Sequence, residues 1–128
     1  MDFIIITNNP LVNEKYSMKY CVYYNECSYE DVFKQVRDKI HQGHILLSHP
    51  LSGSVKPNET PYKSVMLSAK RGLLDKQSVE IIEDCVLAVA KFERYKKRTY
   101  ILNDRVKADF QLIDFTLIES AVGSAIVI

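Results

Sequence analysis

The sequence predicts an α/β protein, a three-layer Rossmann-like sandwich with a mainly parallel sheet of about four strands. Short apolar runs alternate along the chain with segments of helical periodicity, which is typical of helices packed on a sheet. The apolar runs are continuous, as expected of strands that are buried on both faces. Because the chain has 128 residues, we expect residues 1–128 to form one α/β domain with a single core.

Local signals place the individual elements. Asn9 and Pro10 predict a helix start, because an Asn side chain accepts an orphan amide hydrogen and proline has none to lose. Ser28 predicts a second helix start, and Gly43 is suited to end that helix. The predicted helices cover about 10–19, 28–42 and 75–94. The predicted strands are 3–6, 20–24, 45–47 and 65–67, which are rich in β-branched and aromatic residues.

The C-terminal part of the chain has a more ambiguous pattern. Phe110, Ile113 and Leu117 favour a short helix, although 112–118 also suits a strand. The apolar tail over 119–128 is predicted to be an edge strand or a segment buried in a second copy of the chain. The tail is therefore the expected interface of a homo-oligomer.

Composition excludes several classes of function. The formal net charge is only +1, so nucleic acid is not an expected partner. The N terminus lacks a basic leader and no apolar run approaches the length of a membrane span, so we expect a cytoplasmic protein without membrane contact. Cys21, Cys27 and Cys85 form an odd set without metal spacing, which predicts buried structural thiols; a redox role for Cys21 or Cys27 is the alternative.

A polar loop over 49–64 is the main candidate for function. It contains three of the four prolines, and ordered loops of this length are usually functional, although the prolines can also stiffen a structural crossover. In a parallel sheet, this loop meets the turn after the first strand at the carboxyl ends of the strands, where ligands bind. The candidate anion-binding residues are Thr7, Asn8, Asn9, His49, Ser52, Gly53, Ser54, Lys56, Asn58, Glu59, Thr60 and Lys63.

Some of these residues suit more than one role. His49 is the candidate catalytic acid or base, or else a cap of the loop backbone. Asn9 either contacts a ligand or only caps a helix. No metal or cofactor is expected, because the spacing of His41 and His44 matches no recognised ligand pattern and nucleotide-binding glycine motifs are missing. The run 91–100 favours a solvated helix end over a nucleic-acid contact.

Three segments resemble the GrdX family: IIITNNPLV near the start, HPLSGSVKPNETPYKS in the loop and DFQLIDFTLI near the end. The similarity covers about residues 3–118. It implies a bacterial protein encoded with glycine, sarcosine and betaine reductase systems, and it supplies no catalytic residues. Two functions follow as expectations. One is a non-catalytic accessory or assembly factor that binds reductase subunits, and the other is a small enzyme or sensor that binds a phosphorylated or carboxylated metabolite.

Overall fold

The computed structural model describes residues 2–51, 60–94 and 103–126. These residues form three strands, β1 (Phe3–Thr7), β2 (Cys21–Tyr24) and β3 (Ser64–Ser68). They also form four helices, α1 (Pro10–Tyr16), α2 (Tyr29–His41), α3 (Lys76–Arg94) and α4 (Asp104–Ile126). The strands predicted over 3–6, 20–24 and 65–67 correspond to β1, β2 and β3.

The predicted fold was wrong, because the observed sheet is not that of a four-stranded, mainly parallel Rossmann-like sandwich. Its strand order is β2-β1-β3, with β2 parallel and β3 antiparallel to β1. The segment 45–47, predicted as a strand, contributes only an isolated antiparallel bridge between Leu46 and Leu67. The prediction was wrong because a continuous apolar run indicates burial and not strand direction. The connection over 49–64 has no helical pattern, and a helix is the usual crossover between parallel strands.

Helices cover both faces of this small sheet. Alternate residues of β1 point to opposite faces, as the period of a strand requires. Ile4 and Ile6 join a cluster with buried residues of α2 and α3. Phe3 and Ile5 join a second cluster with residues of α1 and α4. The carboxyl end of β1 therefore lies between two helical layers.

Helix boundaries follow the predicted caps. The Asn9 side-chain oxygen accepts a hydrogen bond from the Leu11 amide at 3.0 Å, and the Ser28 hydroxyl accepts one from the Asp31 amide at 3.1 Å. Gly43 has a φ of 105°, which is the left-handed conformation that favours glycine. All three predicted boundary residues are confirmed.

The C-terminal helix α4 is longer than the predicted short helix and has a different buried face. Residues 119–126 continue it, so the prediction of an edge strand over 119–128 was wrong; 127–128 lie outside the described residues. The predicted core positions Ile113 and Leu117 are 40% and 38% exposed. The buried positions are Asp114, Ile118 and Val122. Among the described helices, none is both long and apolar enough to cross a bilayer.

Candidate functional site

Three chain segments meet at the carboxyl end of β1, and the Asn8 side chain joins them. Its amide nitrogen donates to the carbonyl oxygens of Cys27, at 2.9 Å, and Pro61, at 2.8 Å. Its oxygen accepts a hydrogen bond from the Lys63 backbone amide at 2.9 Å. The structure thus brings the turn after β1, the start of α2 and the end of the long loop to one edge, which we call the rim. Asn8 remains a predicted ligand contact, but both ends of its side chain are engaged by the protein.

Replacing Asn8 by alanine is expected to lower the free energy of unfolding by about 2 kcal/mol, because the Lys63 amide loses its partner in a buried setting. Chemical denaturation measures this change. Asn25 is a matched control, because it lies on the same segment as Cys27 but is exposed, and among the described residues its side chain bonds to that of Gln35 and to no buried backbone group. If both alanine variants lose the same stability, Asn8 is not the residue that holds the rim together.

A buried carboxylate, Asp114 on α4, lies beside the rim and is 5% exposed. It accepts hydrogen bonds from the Ser64 amide at 3.0 Å, the Ser64 hydroxyl at 2.7 Å and the Asn9 side-chain amide at 2.9 Å. Burial raises the pKa of Asp114, while the hydrogen bonds from Ser64 and Asn9 act in the opposite direction. These contacts attach α4 to the start of β3 and to the turn after β1.

The hydroxyl groups of Thr7 and Ser64 form a chain of hydrogen bonds that leads to Asp114, and the donor of each bond can be assigned. The Ser64 hydroxyl donates its only proton to Asp114, so Thr7 must donate to the Ser64 oxygen, at 2.7 Å. The Thr7 oxygen in turn accepts the Asn9 amide at 2.9 Å. Thr7 and Ser64 are 1% and 6% exposed, so neither hydroxyl is open to a bulky substrate. The arrangement suits a structural network better than nucleophilic catalysis.

The Asn9 side chain does more than cap α1. Its nitrogen donates to the Gln111 carbonyl oxygen, at 2.9 Å, as well as to Asp114. The sequence suggested that Asn9 either contacts a ligand or only caps α1. The structure shows that its side chain also bonds to α4. Asn9 is 0% exposed, so a ligand would have to displace one of these bonds.

Lys63 is the unusual member of the rim, because its side chain is buried with the residue only 7% exposed. Among the described residues, the side-chain nitrogen has neither a hydrogen bond nor an ion pair. Burial lowers the pKa of Lys63, and the charge of Asp114 offsets this effect only in part. A buried amine without a partner is costly, so it marks a place where a ligand can add stability.

The remaining loop candidates are only partly described. The His49 ring nitrogen Nδ1 accepts the Leu51 amide at 3.1 Å, as expected of a residue that caps the loop backbone. The Thr60 hydroxyl accepts the Tyr62 amide at 3.2 Å. The candidates that lie outside the described residues are Ser52, Gly53, Ser54, Lys56, Asn58 and Glu59.

Sequence reasoning missed Asp114, Ser64, Tyr29 and Tyr62. Asp114 had a usable signal, because it is the only charged residue in the apolar run 110–118. A charge on the buried face of a helix is usually paired or functional. The other three missed residues had no comparable signal, since Ser and Tyr are common at helix starts and strand ends.

The cysteine and histidine predictions have mixed outcomes. Cys85 is buried as predicted, whereas Cys21 is exposed, so the prediction of buried thiols was wrong for Cys21. His44 is 6% exposed and its Nδ1 lies 2.7 Å from the Ser68 carbonyl oxygen, so it is not a solvated residue. His41 is exposed and pairs with Glu83 at 3.4 Å. Across the described part of the chain, no His, Cys, Asp and Glu side chains form a group suited to a metal ion.

The fold and the site define a small α/β protein in which a buried polar network ties the C-terminal helix to the edge of a mixed sheet. The model of the family described as GrdX-like protein matches residues 4–123, so the chain belongs to this family. The match confirms the resemblance seen in the sequence and extends beyond Ile118 into the first part of the tail. Searches of curated proteins and of solved structures found no match.

Proposed function

We propose that the protein is a non-catalytic accessory or assembly factor of glycine, sarcosine and betaine reductase systems, and that it acts by binding a reductase subunit. Membership of the GrdX-like family carries this proposal, because the family is associated by name with these reductases. A binding role suits the rim, because its buried carboxylate, Asp114, has both oxygens engaged by Ser64 and Asn9. A catalytic group needs hydrogen-bond reach to a substrate.

A pair of exposed leucines is a suitable contact for such a subunit. Leu73 and Leu74, in the connection before α3, are 93% and 61% exposed. Large apolar side chains at this exposure gain the most from burial in a protein interface. Lys70 and Arg71 precede them and are also exposed, so an acidic surface with an apolar pocket is the expected complement.

The test is a pull-down of each purified reductase component with the tagged full-length protein. We expect one component to bind, and we expect the double variant Leu73→Ser with Leu74→Ser to weaken binding by about a hundredfold or more, since two buried leucines contribute about 3 kcal/mol or more. Met18→Ser is the control, because Met18 is 95% exposed but lies on the connection between α1 and β2. Failure of every component to bind the wild-type protein would refute the proposal.

A second candidate function is a sensor or small enzyme that binds a phosphorylated or carboxylated metabolite at the rim. The buried, unpaired amine of Lys63 favours it, since this group lacks the anion that would offset its burial. A thermal-shift screen with nucleotides, acyl phosphates and amino acids tests it. At least one anionic ligand should raise the midpoint of thermal unfolding; no shift with any anion would rule this function out.

A further inference from the structure

A small cavity lies between the start of β3 and the face of α4. Within the described residues it is lined by Tyr29, Thr60, Tyr62, Lys63, Ile113, Asp114 and Leu117. The cavity is open to solvent, and its inner part has room for one water or one oxygen atom of a ligand. Tyr29, Lys63 and Asp114 are buried, whereas Ile113 and Leu117 are 40% and 38% exposed. The cavity thus has a polar interior and a partly exposed apolar border.

Two buried donors on the cavity wall lack a partner in the described part of the chain. One is the Lys63 amine and the other is the Tyr29 hydroxyl, whose residue is 5% exposed. Burial raises the pKa of Tyr29, and the negative charge of Asp114 adds to this effect, so the hydroxyl keeps its proton and remains a donor. Two unpaired donors around one oxygen-sized space are costly unless an acceptor occupies that space.

A third donor completes the set. The Tyr62 hydroxyl accepts a hydrogen bond from the Gln111 side-chain amide at 3.0 Å, so its own proton is available to another acceptor. Tyr62 is held in place by its backbone amide, which donates to the Thr60 hydroxyl at 3.2 Å. Lys63, Tyr29 and Tyr62 therefore bring one amine and two neutral donors to the lining of the same cavity.

We infer that this cavity binds the carboxylate of a small monocarboxylic acid, with one oxygen inside and the short carbon chain against Ile113 and Leu117. The inference rests on the second proposed function and assigns its ligand and its residues. A monoanion matches the single positive charge of Lys63. A phosphate dianion would place a second negative charge close to Asp114, which the single charge of Lys63 does not offset.

The experiment titrates the full-length protein with sodium acetate at constant ionic strength and follows backbone amide NMR shifts and the thermal midpoint. We expect saturable binding with shifts at the cavity residues. Lys63→Met should weaken binding by about tenfold or more, because it removes the charged partner of the carboxylate. Lys70→Met, at an exposed lysine, should leave the affinity unchanged. Tyr29→Phe removes one donor without removing the ring and should give an intermediate loss.

Several results would overturn the inference. Equal acetate affinity of the wild type and Lys63→Met would show that acetate does not bind at Lys63. The absence of saturable acetate binding to a folded wild type would also refute the inference. Tighter binding of inorganic phosphate than of acetate at Lys63 would refute the assigned ligand class while leaving the second function standing. Both proteins are checked for a folded NMR spectrum first, so that loss of binding is not confused with loss of structure. The outcome is also separate from the pull-down, which uses no small ligand.

Discussion

Replacement of Asp114 by alanine is expected to lower the free energy of unfolding by about 3–5 kcal/mol, which is the cost of removing one partner from a buried charged network. The carboxylate accepts three hydrogen bonds, two from Ser64 and one from Asn9. All three donors are on buried residues, so water does not readily replace the lost acceptor. Urea denaturation followed by circular dichroism measures the change.

Two further variants separate the charge of Asp114 from its place on α4. Asp109→Ala is the control, because Asp109 lies on the same helix but is exposed, and we expect it to change stability little. Asp114→Asn keeps an acceptor for the Ser64 amide but directs an NH2 group toward the donors on Asn9 and Ser64. Its stability should fall between those of the wild type and Asp114→Ala. Wild-type stability in Asp114→Ala would show that α4 is held by its apolar contacts alone.

The helix α4, the longest in the described part of the chain, has no clear amphipathic pattern. Leu112, Ile113 and Leu117 are exposed, while Asp114 is buried, so polarity does not separate the two sides of α4. Its orientation is set by the contact of Asp114 with the rim as well as by Ile118 and Val122 in the core. A helix that is apolar on several sides needs a specific polar contact to fix its rotation, and Asp114 provides one.

The local structure could be predicted from the sequence where one residue determines it. Asn9, Ser28 and Gly43 each act through their own side chain or backbone, and each lies where predicted. The direction of β3 depends on how the chain returns after residue 48, and apolar runs carry no such information. The surroundings of Lys63 and the partners of Asp114 depend in the same way on segments distant in sequence, so the sequence predicted which segments meet at the rim but not the network behind it.

The turn after β1 and the long loop lie together as predicted, while their role as a ligand site stays a prediction. The turn after β1 and the end of the long loop meet at Asn8, because β3 runs antiparallel and starts where β1 ends. A parallel fourth strand would have placed the end of the loop at the opposite edge, whereas the antiparallel β3 begins beside the end of β1. For this reason Lys63 and Ser64 come to lie beside Asn8 and Asn9, and Asp114 completes the arrangement from the other helical layer.

Replacement of Lys63 by methionine is expected to stabilise the protein without ligand by about 1–3 kcal/mol, the cost of burying a polar group without a partner. Methionine fills a similar volume without the buried amine, and the Lys63 backbone amide still bonds to Asn8. The lowered pKa of Lys63 gives the pH dependence. Between that lowered value and 10.5, the unfolded state binds more protons, so the wild type gains stability as the pH rises.

The advantage of Lys63→Met should therefore be greatest below the lowered pKa of Lys63 and shrink as the pH rises from that value to 10.5. Tyrosine ionisation affects both proteins alike and cancels in the difference, and Lys70→Met should show neither effect. Lower stability of Lys63→Met at neutral pH would mean that the amine has a compensating partner in the unliganded protein. A gain in stability together with a loss of acetate binding would instead show that Lys63 stabilises the ligand complex and destabilises the free protein. This trade-off is expected at a binding site.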